Sequence, residues 1–231
     1  MLPAMRVALV VPAAGSGQRL GLQLPKALAD LAGLALLRRT LDRFVGACEF
    51  VETIVLAPAA SVARFEAVVA GTAASLGRVR VIAGGATRQQ SVAAGIAALA
   101  SDIELICVHD AARPLIDAST IAAVIAAAAE FGAATVASRP SDSVREDRDG
   151  GGSAALDRTR LWLVETPQAF RRDLLVRAHE QAAREGGTFS DDGSLVEAIG
   201  QPLAIVEGGG RNLKVTVLED LAMAAALLER R

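Results

Sequence analysis

Leu105-Ile106-Cys107-Val108-His109-Asp110-Ala111-Ala112-Arg113-Pro114 joins an apolar run to a segment bearing an acid, a guanidinium and a proline. The unbroken apolar run reads as a buried strand. A second stretch is built alike. Val7-Ala8-Leu9-Val10-Val11 runs into Pro12-Ala13-Ala14-Gly15-Ser16-Gly17-Gln18-Arg19, with Lys26 a few residues beyond. In open α/β sheets, ligands sit outside the carboxyl ends of the strands. The two strands therefore aim the Asp110 carboxylate, an amide-rich loop and the cations Arg19 and Lys26 at one crevice. Such a set suits a polyphosphate with its divalent metal.

Outward from these runs, strand-like and helical patterns alternate. Val7–Val11, Thr53–Ala57, Val79–Ile82, Leu105–Val108 and Thr135–Ser138 are candidate strands; Leu36–Val45, Val62–Val69, Gln89–Leu99 and Ile121–Ala129 are candidate helices. The alternation predicts a Rossmann-like α/β fold, a mostly parallel sheet flanked by helices. Thr87-Arg88-Gln89-Gln90 has the form of a capping box, and Thr216-Val217-Leu218-Glu219 is a second, opening a last helix through Leu228. Between residues 139 and 160 the pattern changes. Polar stretches flank Gly150-Gly151-Gly152 and predict two short strands around a flexible tip, inserted into one domain that spans residues 1–231.

Composition narrows the function. A chain of 231 residues, 52% apolar, fits one α/β domain. A net charge of −2 supplies no basic field for nucleic acid, and 3% aromatic residues leave little for base stacking. No stretch approaches a membrane span. The apolar run after Arg6 is too short for a secretory signal, and cleavage near Ala14 would destroy the loop. Cys48 and Cys107 match no metal or redox spacing, which predicts a reduced, cytoplasmic setting.

Gly15-Ser16-Gly17 is not a phosphate loop ending in Gly-Lys-Ser/Thr, and Gly21 falls one position late for the dinucleotide fingerprint. Its backbone amides can still cradle phosphate, with Arg19 and Lys26 neutralising charge. Asp110, directly after a buried strand, is the candidate ligand for Mg²⁺, which needs only one or two carboxylates beside substrate phosphates and water.

Together with Gly84-Gly85-Ala86-Thr87-Arg88-Gln89-Gln90-Ser91-Val92, Leu156-Asp157-Arg158, Glu165-Thr166-Pro167-Gln168, Ser190-Asp191-Asp192-Gly193-Ser194 and Asn212-Leu213-Lys214-Val215-Thr216, these segments resemble a known family. It is that of the 2-C-methyl-D-erythritol 4-phosphate cytidylyltransferases of the non-mevalonate isoprenoid pathway. The resemblance runs nearly end to end and in the same order. It implies that CTP and the methylerythritol phosphate give the CDP-alcohol and pyrophosphate. Pro12, Ala13, Ala14, Gly15, Ser16, Gly17, Gly84, Gly85 and Ser91 would bind CTP. Arg19, Lys26 and Lys214, the last on or beside a strand, would stabilise developing charge with Mg²⁺. Asp110, Arg113 and Thr166 would hold the polyol phosphate, with Ser143 and Arg158 reaching in from a partner subunit. In the family the 139–160 segment is a β-arm that embraces the second subunit, so a homodimer is expected. His109 is expected to be structural, because a phosphate monoester with a second pKa of about 6 needs no base to attack.

The sequence departs from the family pattern at Ser143 (usually threonine), Gly193 (usually alanine) and Arg145 (often lysine). Gly193 predicts a looser helix start. Two other readings stand beside this one. A cytidylyltransferase for another polyol phosphate, such as ribitol 5-phosphate, would differ in the pocket around Arg158 and Thr166. A non-catalytic nucleotide-binding module would not need Arg19, Lys26, Asp110 and Lys214 together.

Overall fold

The computed structural model describes residues 5–15, 17, 20–148 and 150–229. The chain begins with β1 (Val7–Pro12), the small pair β2 (Asp30–Leu31) and β3 (Leu34–Ala35), and α1 (Leu36–Asp42). It continues through β4 (Phe50–Ala57), α2 (Val62–Val69), β5 (Arg78–Ala83), α3 (Arg88–Ala98) and β6 (Leu105–Val108). Next come α4 (Ala118–Phe131), β7 (Ala133–Ser138), β8 (Arg145–Asp147) and β9 (Ser153–Ala155). The last part holds β10 (Leu163–Arg171), α5 (Arg172–Glu185), α6 (Asp192–Glu197), β11 (Ala204–Glu207) and α7 (Leu218–Glu229).

A seven-stranded sheet in the order β11-β7-β10-β6-β1-β4-β5 forms the centre. β1 pairs in parallel with both β6 and β4, β4 with β5, and β11 with β7. β10 runs antiparallel between β6 and β7. The fold is thus the expected Rossmann-like, mostly parallel α/β sheet, with one reversed strand that the apolar pattern did not announce.

The apolar runs are continuous because both faces of the sheet are covered. Val7, Leu9 and Val11 pack with Leu37, Phe65 and Val124 from α1, α2 and α4. Ala8 and Val10 point the other way, onto Val92 and Ile96 of α3 and Leu175 of α5. Alternate residues on a strand face opposite sides, so each must be apolar here. Fully burying one such valine or leucine contributes roughly 1.5–3 kcal/mol. Cys107 lies fully buried among them, and burial raises its thiol pKa, as expected of a small core hydrophobe.

Several boundaries differ from expectation. β4 starts at Phe50 rather than Thr53, because Phe50 is buried and pairs with Val7. α1 ends at Asp42 rather than Val45; Phe44 still packs in the core from the turn beyond. α4 extends past both predicted ends, to Gly132 with φ 92°. The Thr87 capping box forms with Gln90. The second box is displaced. Helix α7 starts at Leu218, and Asp220, not Glu219, accepts from the Thr216 and Val217 amides at 2.6 and 3.0 Å. Lys214 lies in an irregular segment rather than on a strand. Within residues 139–160, β8 and β9 pair as a separate two-stranded ribbon.

Candidate active site

β1 and β6 lie side by side with their carboxyl ends together, so the loops after Pro12 and Val108 meet. The glycine loop then folds back beneath the approach to Lys26. Lys26 N donates to Gly15 O, and Gly17 sits at φ 74°, where a Cβ would stand 2.6 Å from Leu24 O. Only glycine fits that crossing. The lysine reaches across the cleft and donates its Nζ to Val215 O at 3.0 Å. A cavity of about 400 Å³ opens here, with Pro12, Ala13, Ala14 and Gly15 on one side and Gly85 and Ser91 on another. Lys26, Asp110 and Lys214 complete the lining. Gly17 and Gly84 are not in its lining. Ser16 and Arg19 lie outside the described residues.

Ser91 is buried in the first turn of α3. Its hydroxyl donates to Thr87 O at 2.8 Å and accepts from Gly85 N at 3.1 Å. It therefore pins the Gly85 loop against the helix and sets which backbone groups face the cavity.

Asp110 is the electrostatic hub. Lys214 Nζ stands 2.6 Å from its Oδ2 and Arg88 Nε 3.1 Å from its Oδ1, with Arg113 Nε at 4.0 Å. Burial alone would push this carboxyl up; Arg88, Lys214 and Arg113 outweigh it and hold the group well below the usual carboxylate range. Both Asp110 oxygens, the ones expected to meet Mg²⁺, face cations in this arrangement. Among the described residues no group of three or more His, Cys, Asp or Glu could hold a metal.

His109 is fully buried, edge-on to Phe44 at 4.9 Å between ring centroids. Its Nε2 is 3.1 Å from the Arg113 carbonyl, so that nitrogen carries the proton. Nδ1 then accepts from the Thr166 hydroxyl at 3.2 Å, and that hydroxyl accepts the Asp110 amide at 3.0 Å. Burial lowers the imidazole pKa to about 4. Neutral and shielded, His109 braces the Asp110–Arg113 turn, as expected of a structural histidine. The same relay engages the hydroxyl of Thr166, the residue that the family resemblance implies for the polyol phosphate.

A second cavity of about 400 Å³ adjoins the first. Arg113, Thr166 and Ser190 line it, and Arg88, Asp110 and Lys214 line both. These three side chains form the wall between the two spaces. Ser143 and Arg158 are exposed on the 139–160 segment, where Arg158 donates to Ser141 O; neither lines either of these two cavities.

Sequence reasoning gave no role to Arg88, Gln168, Asp192 or Asn212. Gln168, fully buried on β10, donates to Thr135 and Asp191 and accepts from the amides of Asp192 and Gly193. Those bonds, with the Asp191 carboxylate accepting from Ser194 N, fix the start of α6. The looser start predicted from Gly193 is therefore not found. A Cβ there would meet Leu203 Cδ2 at 2.7 Å. The Asn212 side-chain amide donates to Glu165 and to Thr166 O, while its backbone carbonyl receives Arg113 Nη1 at 2.8 Å, tying the Lys214 segment to the second cavity.

The family model described as IspD, 2-C-methyl-D-erythritol 4-phosphate cytidylyltransferase, matches residues 7–230. The chain belongs to this family. The enzyme of that name from Pelotomaculum thermopropionicum is 40% identical over 228 residues, covering 98% of this chain and 95% of the relative. The crystal structure of the Thermus thermophilus cytidylyltransferase superposes with a TM-score of 0.78 at 34% identity, covering 97% of this chain and 100% of that one. The 4-diphosphocytidyl-2C-methyl-D-erythritol synthase of Anaerococcus prevotii reaches 0.87 at 25% identity, covering 98% and 97%. In this chain the glycine loop, Lys26, Asp110 and Lys214, far apart in sequence, close on one cavity.

Proposed function

We propose that this protein transfers a cytidylyl group from CTP to 2-C-methyl-D-erythritol 4-phosphate, releasing pyrophosphate. The observation that carries this reading, beside family membership, is the pair of adjoining cavities walled by Arg88, Asp110 and Lys214. CTP occupies the first, its base against the Gly85 loop and its phosphates along the Ala14 and Gly15 amides. The polyol phosphate occupies the second, near Arg113 and Ser190. A phosphate oxygen of the polyol then attacks the α-phosphorus in line; the bond to the bridging oxygen breaks, and its electron pair leaves with pyrophosphate. Such a step asks for positioning and charge neutralisation, which Lys26 and Lys214 supply. The attacking phosphate is already largely dianionic at neutral pH, so buried His109 has no proton to remove.

Magnesium belongs to the proposal as the counter-ion of CTP. With Asp110 committed to Lys214 and Arg88, its ligands come from phosphate oxygens and water. A homodimer is proposed on two grounds. The β8–β9 ribbon is exposed and too polar to form its own core, and Leu156, Leu163, Val164 and Met223 stay open to solvent. In that dimer Ser143 and Arg158 serve the partner's second cavity. No helix among the described residues is long and apolar enough to cross a membrane. We place the protein in the cytoplasm, where Cys48 and Cys107 stay reduced.

Pyrophosphate release from CTP with Mg²⁺ and a panel of polyol phosphates tests the reading. Turnover with the methylerythritol phosphate is expected to exceed that with ribitol 5-phosphate by at least about a hundredfold, as expected for a site built to hydrogen-bond its substrate. The reverse preference, or no release at all, would overturn it.

A further inference from the structure

We propose that Arg88 is a positioning residue of this reaction, held by the buried carboxylate of Asp192, and that the pair fixes Asp110 on the wall between the two cavities. The inference rests on the cytidylyl-transfer reading above. Arg88 is the first residue of α3, and its guanidinium spans three elements. Its Nε lies 3.1 Å from Asp110 Oδ1 at the end of β6, and its Nη1 lies 2.8 Å from Asp192 Oδ2 at the start of α6. A planar fork can serve two carboxylates in two directions at once, which a lysine ammonium cannot reproduce.

Asp192 is 1% exposed and lines neither cavity. Among the described residues its carboxylate faces Arg88 and, at 3.5 Å, His179 Nε2. Nor does α6 need it as a cap, because Asp191 already accepts from Ser194 N. A buried carboxylate that neither caps nor lines a ligand space persists only if its partner repays its burial. That partner is Arg88. With one edge of the fork anchored on Asp192, Arg88 is kept from swinging into the phosphate space of the first cavity. It presents Nε to one oxygen of Asp110 and leaves the other to Lys214. Gln168 holds the amide of Asp192 at 3.1 Å, so the anchor is itself rigid.

The test is a double-mutant cycle with Arg88→Lys and Asp192→Asn, read by steady-state pyrophosphate release at varied CTP and polyol phosphate. Each single variant is expected to lower kcat about 10- to 100-fold while the KM for CTP stays within about threefold, the pattern of a misplaced group rather than a lost contact. The double variant should be no slower than the worse single one, since both break one link. Thermal unfolding of each variant separates loss of fold from loss of rate. If Asp192→Asn does not fold, Arg88→Lys at its partly exposed site carries the test, and kcat within twofold of the parent overturns the proposal. Additive effects of the two changes, or an effect confined to the KM for CTP, overturn it as well. An inactive parent enzyme overturns the cytidylyl-transfer reading and this inference together; an active parent with unaffected variants overturns the inference alone.

Discussion

Mild acid should destabilise this protein through one residue, and the size of the effect follows from where that residue sits. His109 is fully buried, and burial lowers its pKa from 6.5 to about 4. Between those values the unfolded chain binds a proton that the folded chain refuses, so stability falls as pH drops from 6.5 towards 4. The slope approaches about 1.4 kcal/mol per pH unit, and the full loss is roughly 3 kcal/mol. Above pH 6.5 the residue contributes no pH dependence. Asp110 acts in the opposite sense. Its depressed pKa adds stability that is complete above its ordinary 3.8 and is lost only in stronger acid. The two limbs therefore separate. Urea unfolding followed by circular dichroism at about pH 7, 6 and 5 would measure the first. His109→Asn loses the titrating group and the bond to the Arg113 carbonyl, so it should be less stable at every pH, by about 1–3 kcal/mol. Its stability should nevertheless vary less with pH than that of the parent, by up to about one proton. Equal slopes in the two proteins would refute the buried, neutral histidine.

Lys26→Ala should lower kcat about a hundred- to a thousandfold, the loss seen when an electrostatic donor to a developing charge is removed, and unchanged turnover in a steady-state assay would reject its role. CTP should be preferred over UTP, because cytosine offers an amine where uracil offers an acceptor and a mismatched buried partner costs about 1–3 kcal/mol; a ratio of kcat/KM near one would contradict this. Gly77→Ala should destabilise by at least about 2 kcal/mol in urea unfolding, since φ is 63° there and a Cβ would stand 2.2 Å from Val51 O. Lys26→Ala and Arg158→Ala, each inactive alone, should regain activity as a co-expressed, differently tagged heterodimer; a purified heterodimer without activity would place each site within one chain.

Legibility in the sequence followed the reach of the contacts. Leu105–Val108 and Val62–Val69 were readable to the residue, because local periodicity alone specifies them. β10 was not. Glu165, Thr166 and Gln168 look like surface residues, and Pro167 argues against an inner strand, yet all three polar side chains are buried by partners distant in sequence. α5 carried a usable signal that went unread: Leu174, Leu175, Ala178 and Ala182 recur at helical spacing and all face the core. Asp110 stood out because it follows an apolar strand directly. Arg88 did not, since nothing near it in sequence says that its fork will be shared by Asp110 and Asp192. The charges around Asp110 were hidden for the same reason: the cations that face its oxygens come from segments 22 residues before it and beyond residue 200.

The reversed strand sets an order of events during synthesis. Once residue 108 has left the ribosome, β5, β4, β1 and β6 can assemble into half a sheet. β7 comes next in the chain but cannot join it, because the position beside β6 belongs to β10. Until Arg171 emerges, β6 shows a bare, fully apolar edge, which is where stray strand pairing and aggregation begin. A chain stalled in that window would be both adhesive and inert. The strand that covers this edge also brings Thr166, the hydroxyl that locks Asp110 and His109, so the cleft cannot take shape before β10 is in place.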